Sequence, residues 1–114
     1  MIRLIILAAA ASAACATIAP IPADRLAATE ASYRGAQEAG ADSVPQAKLH
    51  LKFAGDGIVD GRRLINAQNN VEAVRVLDRA RADAELAVGL TREAQSQWEA
   101  QQAAEQAKTM RANP

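Results

Sequence analysis

The 114-residue chain carries 13 Lys and Arg against 13 Asp and Glu, a formal net charge of zero. That balance excludes the basic footprint of a nucleic-acid binder and a polybasic membrane patch, and a single cysteine excludes an internal disulfide. Half of the residues are hydrophobic but 29 are alanine, so the length allows at most one domain and the composition a thin core.

The chain opens with a leader. Arg3 supplies a short positive region, Leu4 to Ala11 is uninterruptedly apolar, and small residues lead to Pro20 and Pro22. This is the layout of a secretory signal peptide. The uncharged stretch from Leu4 to Ala23 is just long enough to span a bilayer, although its alanines and two prolines make a poor span. Two cleavage chemistries follow. A small-x-small site at Ala11-Ser12-Ala13 would leave Cys15 incidental in a soluble secreted periplasmic protein, a helical binding or chaperone-like module without a lipid anchor. Alternatively, Ser12-Ala13-Ala14-Cys15 resembles the lipobox of bacterial lipoproteins. By that resemblance residues 1–14 are the signal peptide, the Cys15 thiol receives a diacylglycerol, the new amino group is acylated, and residues 15–22 form the tether. Several acyl chains anchor stably, because each buried CH₂ contributes about 0.8 kcal/mol and one chain alone is marginal. Ser12 stands where most lipoboxes carry Leu. Ala16 rather than Asp follows the cysteine, which by resemblance to enteric bacteria points to the outer membrane, facing the periplasm.

Residues 23–111 are expected to form a single all-α domain, since no alternating strand pattern occurs. A first helix is expected over 22–39, with Pro22 in its first turn. Leu26, Glu30, Tyr33 and Gln37 share a stripe there, with Ala27, Ala31 and Ala36 beside it. Gly40 is the expected C′ residue. A second helix is expected over 44–66. "SVPQ" reads as a capping box with Ser43 as cap and Gln46 three residues on. Leu51, Ala54, Ile58, Gly61 and Ile65 recur at spacings of 3 and 4 and share one face. Gly55 and Gly57 threaten to break this helix, since each glycine weakens it by about 0.8–1.0 kcal/mol, but the periodicity carries through.

A third helix is expected over 70–110, with Asn69 and Glu72 as a second capping box. Ala73, Leu77, Ala80, Ala84, Ala87, Thr91, Ala94 and Trp98 fall on one stripe, and small residues there admit a neighbour closely. Arg79 with Asp83 and Arg81 with Glu85 are candidate i,i+4 pairs, each worth about 0.2–0.5 kcal/mol. The short connection to the second helix predicts an antiparallel hairpin. The first helix is expected to pack across it, and the end of the third to overhang.

The strings "LDRARADAELA" (77–87), "LAATEASYRGAQEAGAD" (26–42) and "PQAKLHLKFA" (45–54) resemble a bacterial family known only as domain of unknown function 4398. Pro45, Leu51, Ala54, Ala80, Asp83, Ala84, Leu86 and Ala87 match its pattern. The likeness covers about residues 20–90. It implies a small, Ala-rich, helical envelope lipoprotein with no established activity, and it lends no catalytic residues. The three glycines of the second helix depart from the family's usual alanines and leucines.

No nucleophile–base pair, phosphate loop or metal cluster is legible, so no catalytic, cofactor-binding or metal residue and no small-molecule substrate is assigned. His50 has no Cys, Asp or Glu at ligand spacing and reads as a partly exposed helical residue. Asp56 and Asp60 lack the calcium-loop pattern and read as a solvated face. Gly57-x-x-x-Gly61 has the small-residue spacing of membrane helix contacts, but its charged neighbours favour close packing in water. Trp98, on the thinly apolar end of the third helix, is either a contact for a protein partner or a second copy, or a cover for the end of the hairpin. The expectation is a non-enzymatic envelope lipoprotein, tethered through Cys15, that serves as a helical structural or adaptor module.

Overall fold

The computed structural model describes residues 21–113. They form three α-helices, α1 (Pro22–Glu38), α2 (Pro45–Asn66) and α3 (Asn70–Ala112), with a 3₁₀ turn at Ala41–Ser43. No strand occurs among the described residues. α1 and α2 are each one residue shorter than the periodicity suggested, and α3 is two residues longer.

α2 and α3 form the antiparallel hairpin. His50 meets Asp83 at 2.8 Å, Gly57 faces Ala80, and Gly61 faces Leu77, so rising numbers on one helix meet falling numbers on the other. α1 lies across both, parallel to α3 and antiparallel to α2. Arg25 reaches Asp78 at 3.2 Å, Glu30 pairs with Arg62 at 2.6 Å, and the Gln95 side-chain amide donates to the Ala39 carbonyl at 3.4 Å.

The core is thin, as the composition demands. Among the described residues, eight of the eleven buried apolar side chains are alanine; the others are Leu51, Ile58 and Leu77. Short side chains bury little area each, so the helices must come close for the contacts to add up. The glycines of α2 make this approach feasible. A Cβ on Gly57 would lie 2.6 Å from that of Ala80, and one on Gly61 would lie 2.5 Å from Leu77 Cδ2. α2 runs unbroken through Gly55 and Gly57, because burial of this face outweighs the helix-propensity cost of the glycines.

The inner face of α1 differs from the expected stripe. Thr29 and Ala36 are its buried residues, flanked by half-buried Leu26 and Tyr33, whereas Ala27, Ala31 and Gln37 are exposed. Thr29 can enter the core because its hydroxyl is satisfied there. It donates to the carbonyl of Arg25 in its own helix (2.8 Å) and also lies 3.1 Å from that of Leu77 on α3. Glu30 stays at the edge, held by Arg62.

Neither expected capping box forms. Pro45 occupies the first turn of α2 and pushes the preceding Val44 to an extended conformation (φ −109°, ψ 115°). Val44 is therefore the N-cap, Ser43 belongs to the 3₁₀ turn, and Gln46 stands one position too early. Asn69 does occupy the N-cap of α3, but its side chain makes no capping bond. Glu72 instead faces Arg75 at 3.2 Å.

The helix C-termini follow a regular logic. Gly40 takes the left-handed conformation after α1 (φ 90°), as a C′ glycine does. After α2 the same position falls to Gln68 (φ 59°). Its N–H donates to Ile65 and that of Asn69 to Leu64, both at 2.9 Å, the paired bonds of a Schellman turn.

Candidate functional site

Two parts of the surface remain without a packing partner: the end of α3, and the face of the hairpin opposite α1.

The stripe of α3 that packs on the body is buried from Ala73 to Thr91 and half-buried at Ala94. Beyond it the helix continues alone. From Gln95 to Ala112 every residue except half-buried Ala107 is exposed. Trp98 continues the packed stripe by one turn and is 63 % exposed, so it projects from the overhang rather than sealing the hairpin. With 43 residues in α3 and 22 in α2, a rise of 1.5 Å per residue makes them about 64 and 33 Å long. The difference is the free length that carries Trp98.

The open face of the hairpin holds a shallow groove of about 490 Å³ whose lining includes Phe53, Asp56, Asp60, Glu72, Arg79 and Asp83. Leu49, Phe53 and Leu86, each about half exposed, stand near it. Every carboxylate of the groove has its own cation or imidazole. Asp56 binds Lys52 at 2.6 Å, Asp60 faces Arg63 at 3.4 Å, Glu72 meets Arg75, and Asp83 meets His50 Nδ1 at 2.8 Å. Arg79, also in the lining, pairs with none of these carboxylates. Among the described residues, no three His, Cys, Asp or Glu side chains are placed to hold a metal ion.

His50 is a partly exposed helical residue, as its surroundings in the sequence suggested, but sequence spacing missed its partner. It is half-buried, bonded to Asp83 and packed edge-on against Phe53, with ring centroids 5.8 Å apart. Its carboxylate lies 33 residues away, so no local pattern could reveal it. The contact also takes Asp83 from Arg79, and the expected Arg79–Asp83 pair does not form. Arg81–Glu85 does, at 2.8 Å. Asp56 and Asp60 lie on an exposed face of α2. Cys15 lies outside the described residues. No described helix is long and apolar enough to cross a membrane.

The fold therefore defines a class: an all-α hairpin crossed by a short first helix, with a third helix that outruns its partners. Residues 24–103 match the family described as Domain of unknown function (DUF4398), and the chain belongs to that family. The match takes in α1 from Asp24, all of α2, and α3 as far as Ala103, five residues after Trp98. No curated protein and no solved structure matches the chain.

Proposed function

We propose that the protein is a non-enzymatic cell-envelope lipoprotein, tethered to the outer membrane on its periplasmic side through acylated Cys15, and that its helical body is an adaptor displaying the end of α3 to a protein partner or a second copy. The observation that carries the adaptor reading is the overhang itself. A helix that extends past its own bundle and leaves an indole 63 % exposed forgoes burial that a partner would restore, and a desolvated Trp is a common anchor of interfaces. The anchor reading is supported by the leader and by the lipobox-like Ser12-Ala13-Ala14-Cys15.

Three measurements test the two halves. Intact-mass analysis of the mature protein from its native host is expected to give a chain starting at Cys15 with the added mass of acyl chains, and Cys15→Ser is expected to release the protein from the membrane fraction. An unmodified N-terminus, with fractionation unaffected by the substitution, would instead indicate a soluble periplasmic protein. A photo-crosslinking residue at position 98 is expected to trap one specific species in cells; a smear of random products refutes the adaptor role.

A further inference from the structure

We infer that the end of the molecule formed by Ile21 and the α2–α3 turn rests on the lipid headgroup surface, so that α3 points away from the membrane and holds Trp98 at a distance. The inference builds on the Cys15 anchor proposed above, and it is carried by topology and surface chemistry.

Topology fixes which end the tether leaves. Thr29 touches the Leu77 carbonyl and Glu30 pairs with Arg62. Pro22 lies seven residues before Thr29, about 11 Å along the helix axis. That brings it level with the first turn of α3 and past the last turn of α2. Ile21 therefore emerges beside the α2–α3 turn. Ile21 lies six positions after Cys15, a reach of at most about 20–22 Å. An acylated Cys15 must hold this end, and not the α3 overhang, near the bilayer. Trp98 lies 28 residues along α3 from Asn70, about 42 Å away.

The surface at this end suits the contact. From Asn66 to Val71 the chain carries no charged side chain; it offers amides, Ala67 and Val71, which is 72 % exposed, with Ile21 59 % exposed. Arg25, Arg62, Arg63 and Arg75 are paired within the protein, with Asp78, Glu30, Asp60 and Glu72; exposed Arg79, nine residues along α3 from Asn70 and about 13 Å from this end, is not. Asp24 sits in the first turn of α1, where the helix dipole favours a carboxylate. An amide-and-aliphatic surface whose nearest arginines are paired can settle among headgroups without stripping water from a lone positive charge. The other end exposes Glu99, Glu105, Lys108 and Arg111 along the overhang. The contact is aliphatic rather than electrostatic, so it should not depend on anionic lipid or on salt.

The single tryptophan makes this testable, because it can be moved. The full chain is expressed with its leader and purified, and its intact mass reports acylation, which judges the anchor separately. Protein lacking acyl chains is coupled through Cys15 to a maleimide-headgroup lipid, so orientation is measured either way. Two proteins are placed on phosphatidylcholine vesicles containing brominated lipid: the parent, with Trp98, and the Trp98→Phe/Val71→Trp variant. The variant's emission is expected to shift to the blue and lose about half its intensity, as for a side chain at the headgroup–acyl boundary, equally with anionic lipid or high salt. The parent's emission is expected to stay unchanged. Quenching of Trp98 overturns the orientation, and quenching of neither protein overturns the surface contact. Ile21→Trp in the same Trp98→Phe background repeats the measurement should Val71→Trp lower the helical signal.

Discussion

Gly57 offers the sharpest test of how this bundle is held together. Glycine inside a helix normally costs stability, and its replacement by alanine gains about 0.8–1.0 kcal/mol. At Gly57 the gain should be reversed. The new methyl would stand 2.6 Å from the Ala80 Cβ, about 1 Å inside the normal carbon–carbon separation of roughly 3.5–4.0 Å. Alanine has no rotamer in which to retreat, so the α2–α3 backbones must move apart and loosen the neighbouring contacts at Ala54 and Ala84. Overpacking of this kind costs about 1–3 kcal/mol. Set against the propensity gain, Gly57→Ala should destabilise the protein by up to about 2 kcal/mol, a fall in Tm of up to roughly 15 °C for a domain of this size. Gly35→Ala and Gly89→Ala are the controls, because nothing lies within 4 Å of a Cβ at either position. Each should raise stability by up to about 1 kcal/mol. Adding Ala80→Gly to Gly57→Ala removes the clashing methyl and leaves the Ala80 Cα at 3.5 Å. The double variant should therefore be more stable than the sum of the singles by about 1 kcal/mol or more. Thermal and urea unfolding followed by helical circular dichroism reads all of these. A Gly57→Ala protein stabilised as much as Gly35→Ala would refute the close approach of α2 and α3.

Thr29→Val keeps the shape but deletes the hydroxyl that reaches Leu77; unfolding in urea should show a loss of about 1 kcal/mol. Gln68→Gly relieves a left-handed residue at the C-terminus of α2 and should raise the midpoint by up to about 1 kcal/mol, net of the added freedom of the unfolded chain; a loss of stability would contradict the Schellman turn. Among the described residues, ending the chain after Gln97 removes only exposed or half-buried ones, so the stability of the body in urea should shift by no more than about 0.5 kcal/mol, while crosslinking through the overhang disappears.

Much of the fold was legible from periodicity. The buried face of α2 and the stripe of α3 from Ala73 to Thr91 stand where 3- and 4-residue spacing put them, because burial on a helix follows the 3.6-residue repeat. Gly40 likewise announced the end of α1. α1 was harder to read. Its inner face buries Thr29, with half-buried Glu30 at the edge, and polar residues blur the pattern. A threonine whose hydroxyl bonds one turn back, as Thr29 does to Arg25 and Thr91 to Ala87, can be buried although its residue type reads as polar. The capping boxes failed for a related reason: Pro45 displaced the cap by one residue, and Arg75 claimed Glu72.

The sequence by itself determined the helices, their approximate ends, the small-residue faces, the overhang and membership of a family without a known activity. These are local matters, settled within a few turns of helix. The tertiary structure alone decided that Gly57 and Gly61 are contact points against Ala80 and Leu77, that Asp83 serves His50 rather than Arg79, and that α1 runs beside α3. That last choice sets Ile21 at the α2–α3 turn and Trp98 at the far end. Each of these joins residues dozens of positions apart, and only the packing of one helix on another brings them together.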